Sequence, residues 1–235
     1  MTKKIEGHTV QRYDGELNHL HMQALEMGAL VLNQVKAAIA ILQDKDLGTA
    51  RKMIDRDHEV NTMEVSIDED IVTTLARRCP VARDLRLVMA LSKTVTDLER
   101  IADEAAKIAG LALAIYDNDR SNPSEHLMRD VHTMGKLAAS MLHEALEVFD
   151  KLDGDRAEHL AVGRSELDAE FQAGLRRLAT FIMEDSRNVG HAINIVLITK
   201  ALERIGDHSK NISEYVVYLI KGKDIRHRIP STDAS

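Results

Sequence analysis

The stretch Leu-Glu-Arg-Ile-Ala-Asp at residues 98–103 decides how this chain is organised, because it returns as Leu-Glu-Arg-Ile-Gly-Asp at residues 202–207. Six of the twelve positions from Leu98 to Ala109 are identical 104 residues later. In a helix, Glu99 and Asp103 share one face, as do the equivalent Glu203 and Asp207, and each pair repels by a few tenths of a kcal/mol. A duplicated helical unit is therefore indicated, with a cation expected near each acidic pair.

A second pattern extends the repeat toward the N-terminus. Apolar residues at spacings of three and four predict an amphipathic helix over residues 14–43, and the same positions are apolar again 107 residues later. The two matched sets are Leu20, Ala24, Met27, Val31, Val35, Ala38 and Leu42, then Leu127, Val131, Met134, Ala138, Leu142, Ala145 and Phe149. The dipeptide Met27-Gly28 also recurs as Met134-Gly135. The second copy therefore begins near residue 123.

Turn and cap signals divide each copy into three helices. Asp46 opens the second helix of the first copy, and Asp153 or Asp155 opens its counterpart, since a carboxylate accepts the free amide protons of a first turn. These second helices are expected to end near residues 78 and 185, and third helices to follow at 82–116 and 189–221. Asp117 to Pro123 has strong turn chemistry and separates the copies.

The predicted fold is all-α, a tandem repeat of two antiparallel three-helix bundles built from six long helices. The first bundle is assigned to residues 1–117 and the second to residues 123–225. Short loops make sequential helices antiparallel, and one such set can close its own core. A single merged six-helix bundle is the structural alternative.

Composition excludes several classes of function. The 235 residues carry a formal charge of −7 and no tryptophan, which argues against a nucleic-acid-binding protein. The longest apolar runs are far shorter than the roughly 18 residues that a membrane span needs, so no transmembrane segment is expected. The N-terminus lacks the apolar core of a secretory signal, and Cys79 is the only cysteine. These features favour the cytoplasm.

The acidic pairs can be interpreted as metal ligands or as a solvated helix surface. Ion pairs support the surface interpretation, because Asp103 has Lys107 four residues later. The second copy replaces that lysine with Asn211, a neutral oxygen donor that suits a cation better. Further ligands are expected from equivalent positions of the second helices, which are Asn61 with Asp168, and Glu59 with Glu166. Carboxylate and amide oxygens favour Mg²⁺, Mn²⁺ or Fe, with Zn²⁺ a weaker fit because His and Cys do not cluster.

A rival metal motif is Glu16-Leu17-Asn18-His19, the ExxH spacing of di-iron four-helix proteins. Those sites need two such helices, and residues 123–126 do not repeat the glutamate, so a structural or surface role is expected for His19. No phosphate-binding glycine loop and no nucleophile with a base is present, so the protein is not expected to be an enzyme. The alternatives kept open are a metal-dependent oxidase or hydrolase on a helical bundle and a metal-storage or structural protein.

The doubled motif, with Pro-Val-Ala-Arg-Asp-Leu-Arg at 80–86 and Asn-Ile-Ser-Glu-Tyr at 211–215, closely resembles the PhoU family over nearly the whole chain. The resemblance implies a cytoplasmic negative regulator of phosphate uptake and of the phosphate-starvation response. It implies two partners, the ATPase subunit of the phosphate-specific ABC transporter and the sensor histidine kinase of the phosphate regulon, and hence peripheral association with the membrane. A homodimer is expected. It also implies divalent or trivalent metal at Glu99 with Asp103 and at Glu203 with Asp207. Ala102 replaces the family's commoner glycine, so the two sites are expected to differ in packing.

Overall fold

The computed structural model describes residues 11–56, 58–116, 125–162, 166–184 and 189–225. Over these ranges the chain forms eight α-helices and no strand. The first repeat contains α1 (Gln11–Asp44), α2 (Leu47–Asp55), α3 (His58–Arg78) and α4 (Ala82–Tyr116). The second contains α5 (Glu125–Lys151), α6 (Gly154–Val162), α7 (Glu166–Glu184) and α8 (Val189–Lys221).

The all-α tandem fold is confirmed, and the third helices have the predicted bounds. The second helix of the first repeat differs from the prediction, because it is divided into a short helix of nine residues, α2, and a longer one, α3. In the second repeat, α6 and α7 are the described parts of the corresponding stretch, and residues 163–165 between them lie outside the described residues. In the first repeat the break falls at Arg56, whose backbone leaves helical geometry at φ −94° and ψ 2°. Asp and His surround this position in the sequence, and both are poor formers of helix interiors. The first repeat therefore has one short helix, α2, in addition to the three that were predicted.

The predicted helix starts at Asp46 and Asp153 are also confirmed. Asp46 Oδ1 accepts a hydrogen bond from the Thr49 amide at 3.0 Å, and Asp153 Oδ1 accepts one from the Arg156 amide at 3.1 Å. Asp155 lies two residues further along, in the first turn of α6, and instead forms an ion pair with Lys221 at 2.7 Å. The expected turns at 117–123 and 185–188 lie outside the described residues.

The two repeats pack against each other through antiparallel pairs of equivalent helices. In the α1–α5 pair, Gly28 lies under Leu146 and Gly135 lies under Ile39. Both contacts join positions separated by the same 107-residue offset, so the repeats are related by an internal pseudo-twofold axis. The repeated Met-Gly dipeptide thus marks two places where α1 and α5 approach closely. The α4–α8 pair makes the most extensive helix–helix contact in the described part of the chain.

All fourteen apolar residues of the two predicted stripes are buried, and they belong to one continuous core that spans both repeats. The fold is therefore two three-helix units with a shared interior. The bounds 1–117 and 123–225 stay a prediction. By length and composition, α1 is the one described helix that could cross a membrane. Its apolar face, however, lies in this core, which accounts for its composition.

Candidate functional site

The acidic pair of the first repeat lies beside two further carboxylates of α3. Glu99 is half-buried and Asp103 is exposed on α4, and Glu64 of α3 is in electrostatic contact with Asp103 and with Asp68 of its own helix. Burial, followed by the charges of Asp68 and Asp103, raises the pKa of Glu64, and Arg100 opposes this shift. The four carboxylates therefore form an acidic cluster, called here the first acidic cluster, in which negative charge is already unfavourable.

The second repeat builds a related cluster from α7 and α8. Burial by surrounding atoms raises the pKa of Asp207 although its side chain reaches the surface, and the charges of Glu203 and Asp168 raise it further. Lys200 opposes the shift and forms an ion pair with Glu203. Asp168, Glu203 and Asp207 are called here the second acidic cluster.

The two clusters differ in composition and in packing. Thr96 stands where the second repeat has Lys200, so the first cluster lacks this internal cation. A Cβ atom on Gly206 would lie 2.4 Å from Leu167 Cδ2, so glycine lets α7 approach α8 directly. The equivalents in the first repeat are Ala102 and Val60, a larger residue facing a smaller one. The two motifs were expected to differ in packing because the first has Ala102 where the second has Gly206. The close approach of Leu167 to Gly206 agrees with that expectation.

The remaining predicted ligands are dispersed. Asn61 is exposed on α3, and Glu59 is exposed and forms an ion pair with Arg56 at 3.7 Å. Asn211 turns toward the other repeat, where its amide donates to Asp97 Oδ1 at 3.4 Å. Of the second-helix candidates, Asp168 is the one placed in electrostatic contact with the motif of its own repeat.

The donor chemistry of both clusters suits a hard cation, because each gathers at least three carboxylates. The side chains do not close around a common point, since the described residues contain no group of three His, Cys, Asp or Glu that could hold a metal ion. The metal assignment of Glu99, Asp103, Glu203 and Asp207 therefore stays a prediction.

The interface between repeats holds polar contacts that the sequence analysis missed. Buried Asp97 of α4 accepts a hydrogen bond from His208 of α8 at 2.7 Å. Buried Glu104 of α4 forms ion pairs with Lys107 at 3.3 Å and with Arg204 of α8. Asp97 and Glu104 interrupt the apolar face of α4, and that interruption was the available signal. These contacts hold α4 and α8 in register.

The ExxH segment does not form a metal site in the described residues. Glu16 is held by Arg78 through two hydrogen bonds of 2.7 and 2.6 Å. His19 is exposed at the edge of a cleft of about 160 Å³ that Asp70 also lines. The surface role expected for His19 agrees with this position.

Comparisons with known proteins agree with this duplicated architecture. The PhoU domain matches the chain twice, at residues 24–112 and 131–216. The chain belongs to the PhoU family. A Pseudomonas aeruginosa relative, described as a phosphate-specific transport system accessory protein PhoU homolog, is 41% identical over 94% of this chain and 90% of its own length. The Escherichia coli K12 accessory protein PhoU is 37% identical over 95% of this chain and 91% of its own length.

Solved structures of PhoU proteins have the same fold. The crystal structure of PhoU from Pseudomonas aeruginosa superposes with a TM-score of 0.83 at 40% identity, covering 90% of this chain and all of that one (100%). The phosphate transport system regulatory protein PhoU from Streptococcus pneumoniae gives a TM-score of 0.82 at 30% identity, covering 91% of this chain and 99% of that one. The PhoU resemblance seen in the doubled motif is therefore confirmed.

Proposed function

We propose that this protein is an accessory protein of the phosphate-specific transport system and a negative regulator of phosphate uptake and of the phosphate-starvation regulon. It acts as an adaptor between the ATPase subunit of the phosphate ABC transporter and the sensor histidine kinase. The observation that carries the proposal is the near full-length similarity to phosphate-specific transport accessory proteins.

Exposed apolar side chains support a function through protein contacts. Leu85 and Met89 of α4 are 40% and 41% exposed, and the equivalent Val189 and Ile193 of α8 are 39% and 54% exposed. The internal pseudo-twofold therefore presents two related apolar stripes. Exposed apolar patches mark sites of protein interaction. Two such stripes suit an adaptor that engages two proteins.

Metal binding at the acidic clusters is part of the proposal. Glu99 and Asp103 would hold the ion in the first repeat, and Glu203 and Asp207 in the second. A bound cation would neutralise carboxylates that otherwise repel each other. Mg²⁺, Mn²⁺ and Fe are the candidate ions, and Zn²⁺ is a weaker candidate because the ligands are oxygen donors without clustered His or Cys.

Deletion of the gene tests the regulatory role. We expect a phosphatase reporter of the starvation response to become active in phosphate-rich medium, and the wild-type gene in trans to silence it. A reporter that stays silent in the deletion strain would contradict the regulatory proposal.

Affinity capture tests the adaptor role. The tagged full-length chain, expressed at high phosphate, is expected to capture the transporter ATPase subunit and the sensor kinase. The variant Val189→Glu with Ile193→Glu should capture less of at least one of them, because a charge opposes burial of the stripe. Val65→Glu is the control, since Val65 is 59% exposed on α3 and lies on neither stripe. If the double variant captures both partners as well as the wild type does, the α8 stripe is not part of either interface.

A further inference from the structure

A basic cleft lies where the two repeats meet, away from both acidic clusters. It has a volume of about 380 Å³ and is lined by the C-terminal end of α1, the last residue of α4 and the second turn of α5. Its basic lining residues are Lys45, Arg129 and His132, and none of the lining residues is acidic. The lining of the cleft is therefore basic although the chain has a formal charge of −7.

The helix ends that border the cleft reduce the electrostatic repulsion that a bound anion would meet. The last carbonyls of α1 would repel an anion, but Ile41 O accepts from the Lys45 amide at 2.9 Å and Leu42 O accepts from the Tyr116 hydroxyl at 3.2 Å. The opposite end of the cleft is formed near the N-terminus of α5, where the helix dipole favours anions. Asp44 is the neighbouring carboxylate that opposes binding, and Lys136 adds a further positive charge.

The pseudo-twofold axis provides an internal comparison for this cleft. The positions equivalent to Lys45, Arg129 and His132 are Leu152, Met22 and Leu25. A property that the fold requires would be expected in both repeats, yet the cationic side chains occur at one end only. The basic character of this cleft is therefore not needed for packing.

The remaining lining residues set the class of ligand. Leu42 and Met128 supply apolar surface, and the Tyr116 ring has Lys45 Nζ 5.4 Å from its centroid. The volume falls within the range of about 300–1,000 Å³ of small-molecule sites. Arginine binds phosphoryl oxygens through its planar fork, and lysine does so as a point charge. An anion with an organic body fits these features better than inorganic phosphate.

We propose that this cleft binds a nucleoside phosphate, with Arg129 and Lys45 contacting the phosphoryl groups and the apolar wall contacting the nucleoside. His132 supplies a hydrogen bond: its Nε2 atom is buried and has no hydrogen-bond partner among the described residues. Burial and Lys136 lower the pKa of His132, so the ring contributes as a neutral donor at neutral pH. The site is separate from the acidic clusters and goes beyond the proposed adaptor role.

Calorimetric titration of the purified full-length chain tests this site, with ATP and inorganic phosphate as probes. The buffer contains about 0.15 M salt, which screens non-specific attraction, and EDTA, which prevents metal bridging at the carboxylates. We expect ATP to bind at least ten times more tightly than inorganic phosphate. Lys45→Gln with Arg129→Gln should weaken ATP binding at least tenfold.

The matched control is Lys52→Gln with Arg176→Gln, which removes the same charge from exposed positions outside the cleft. This control should bind ATP within twofold of the wild type, and thermal melts verify that both double variants are folded. The proposal is overturned if ATP does not bind, if inorganic phosphate binds equally well, or if both double variants lose equal affinity. Because the titration uses no transporter or kinase, its outcome is independent of the gene-deletion result.

Discussion

Gly28 of α1 lies directly beneath Leu146 of α5, so that a Cβ atom at position 28 would be 2.5 Å from Leu146 Cδ2. The same relationship joins Gly135 to Ile39 across the pseudo-twofold axis, where the corresponding distance is 3.0 Å. Leu146 is buried, and its Cδ1 and Cγ atoms would also lie within 3.5 Å of the added Cβ. The contact between repeats therefore depends on the absence of a side chain at these two glycines.

The first prediction concerns this contact. Gly28→Ala should lower the free energy of unfolding by about 1–2 kcal/mol, because overpacking of this kind costs about 1–3 kcal/mol and outweighs the gain in helix propensity of up to about 1 kcal/mol. Gly174→Ala in α7 is the control, since no atom lies within 4 Å of its added Cβ, and it should be neutral or stabilising. Urea denaturation measures both, and equal stabilisation by the two changes would refute the close contact.

Metal binding gives the second prediction. Glu99→Gln with Asp103→Asn should remove the metal of the first repeat, and Glu203→Gln with Asp207→Asn that of the second. Each variant should lose part of the rise in melting temperature that Mn²⁺ or Mg²⁺ produces, because a bound ion stabilises the folded state by mass action. Elemental analysis and thermal melts report both quantities. Unchanged metal content and melting in the two variants would favour a solvated acidic surface.

A third prediction follows from Lys200, which forms an ion pair with Glu203 in the second acidic cluster. Lys200→Thr reproduces the residue of the first repeat, Thr96, and should tighten metal binding at the second cluster because an ammonium no longer competes for the carboxylate. Lys210→Thr, on the same helix, controls for the change in net charge. Isothermal titration with Mn²⁺ measures the effect, and equal affinities in the two variants would show that the lysine does not compete.

The pH dependence of stability gives a fourth prediction through His21. This buried side chain contacts the Phe149 carbonyl at 3.1 Å through Nε2, and burial lowers its pKa from the ordinary value of 6.5. Below about pH 6.5 the unfolded chain therefore binds more protons at this residue than the folded one, so the free energy of unfolding falls as the pH decreases. His21→Met, which installs the residue of the equivalent position 128, should show a weaker loss between about pH 7.5 and 5.5. Denaturation curves at both pH values measure how much the free energy of unfolding changes in each protein. Equal changes in the wild type and the variant would show that His21 does not cause this pH dependence.

The fifth prediction separates the two candidate caps of α6. Asp153→Ala should destabilise the protein by about 1 kcal/mol, the typical cost of losing an N-cap. Asp155→Ala should cost less, because it removes an exposed ion pair with Lys221. Equal losses in urea denaturation would contradict the cap assignment.

Local and periodic features of the fold were predictable from the sequence. The stripes from Leu20 and Leu127 identified the buried faces of α1 and α5, and the bounds of α4 and α8 followed from the flanking turn signals. The break at Arg56 was missed because apolar periodicity continues from Met53 to Val60, which are both buried on either side of it. Periodicity reports which face is buried and is insensitive to one irregular residue.

The candidate site was predictable only in part, because sequence spacing describes one helix at a time. The pairs Glu99 with Asp103 and Glu203 with Asp207 are local, so the repeat identified them. Glu64 and Asp68 come from another helix, and no periodic signal places them beside Asp103. Asn211 was expected to join the metal ligands, but its contact with Asp97 depends on how α8 packs against the other repeat.

The antiparallel pairing of α4 with α8 has a consequence for synthesis on the ribosome. Asp97 of α4, for example, is synthesised 111 positions before its partner His208. At about 5–20 residues per second, this interval lasts roughly 5–20 seconds. During that time the side of α4 that packs against α8 is uncovered, whereas α1, α2 and α3 can already cover the rest of the helix, so nascent chains at high local concentration can pair through this exposed side. We therefore expect the newly made first half to be more prone to aggregation than the complete chain, in which α8 covers this side of α4.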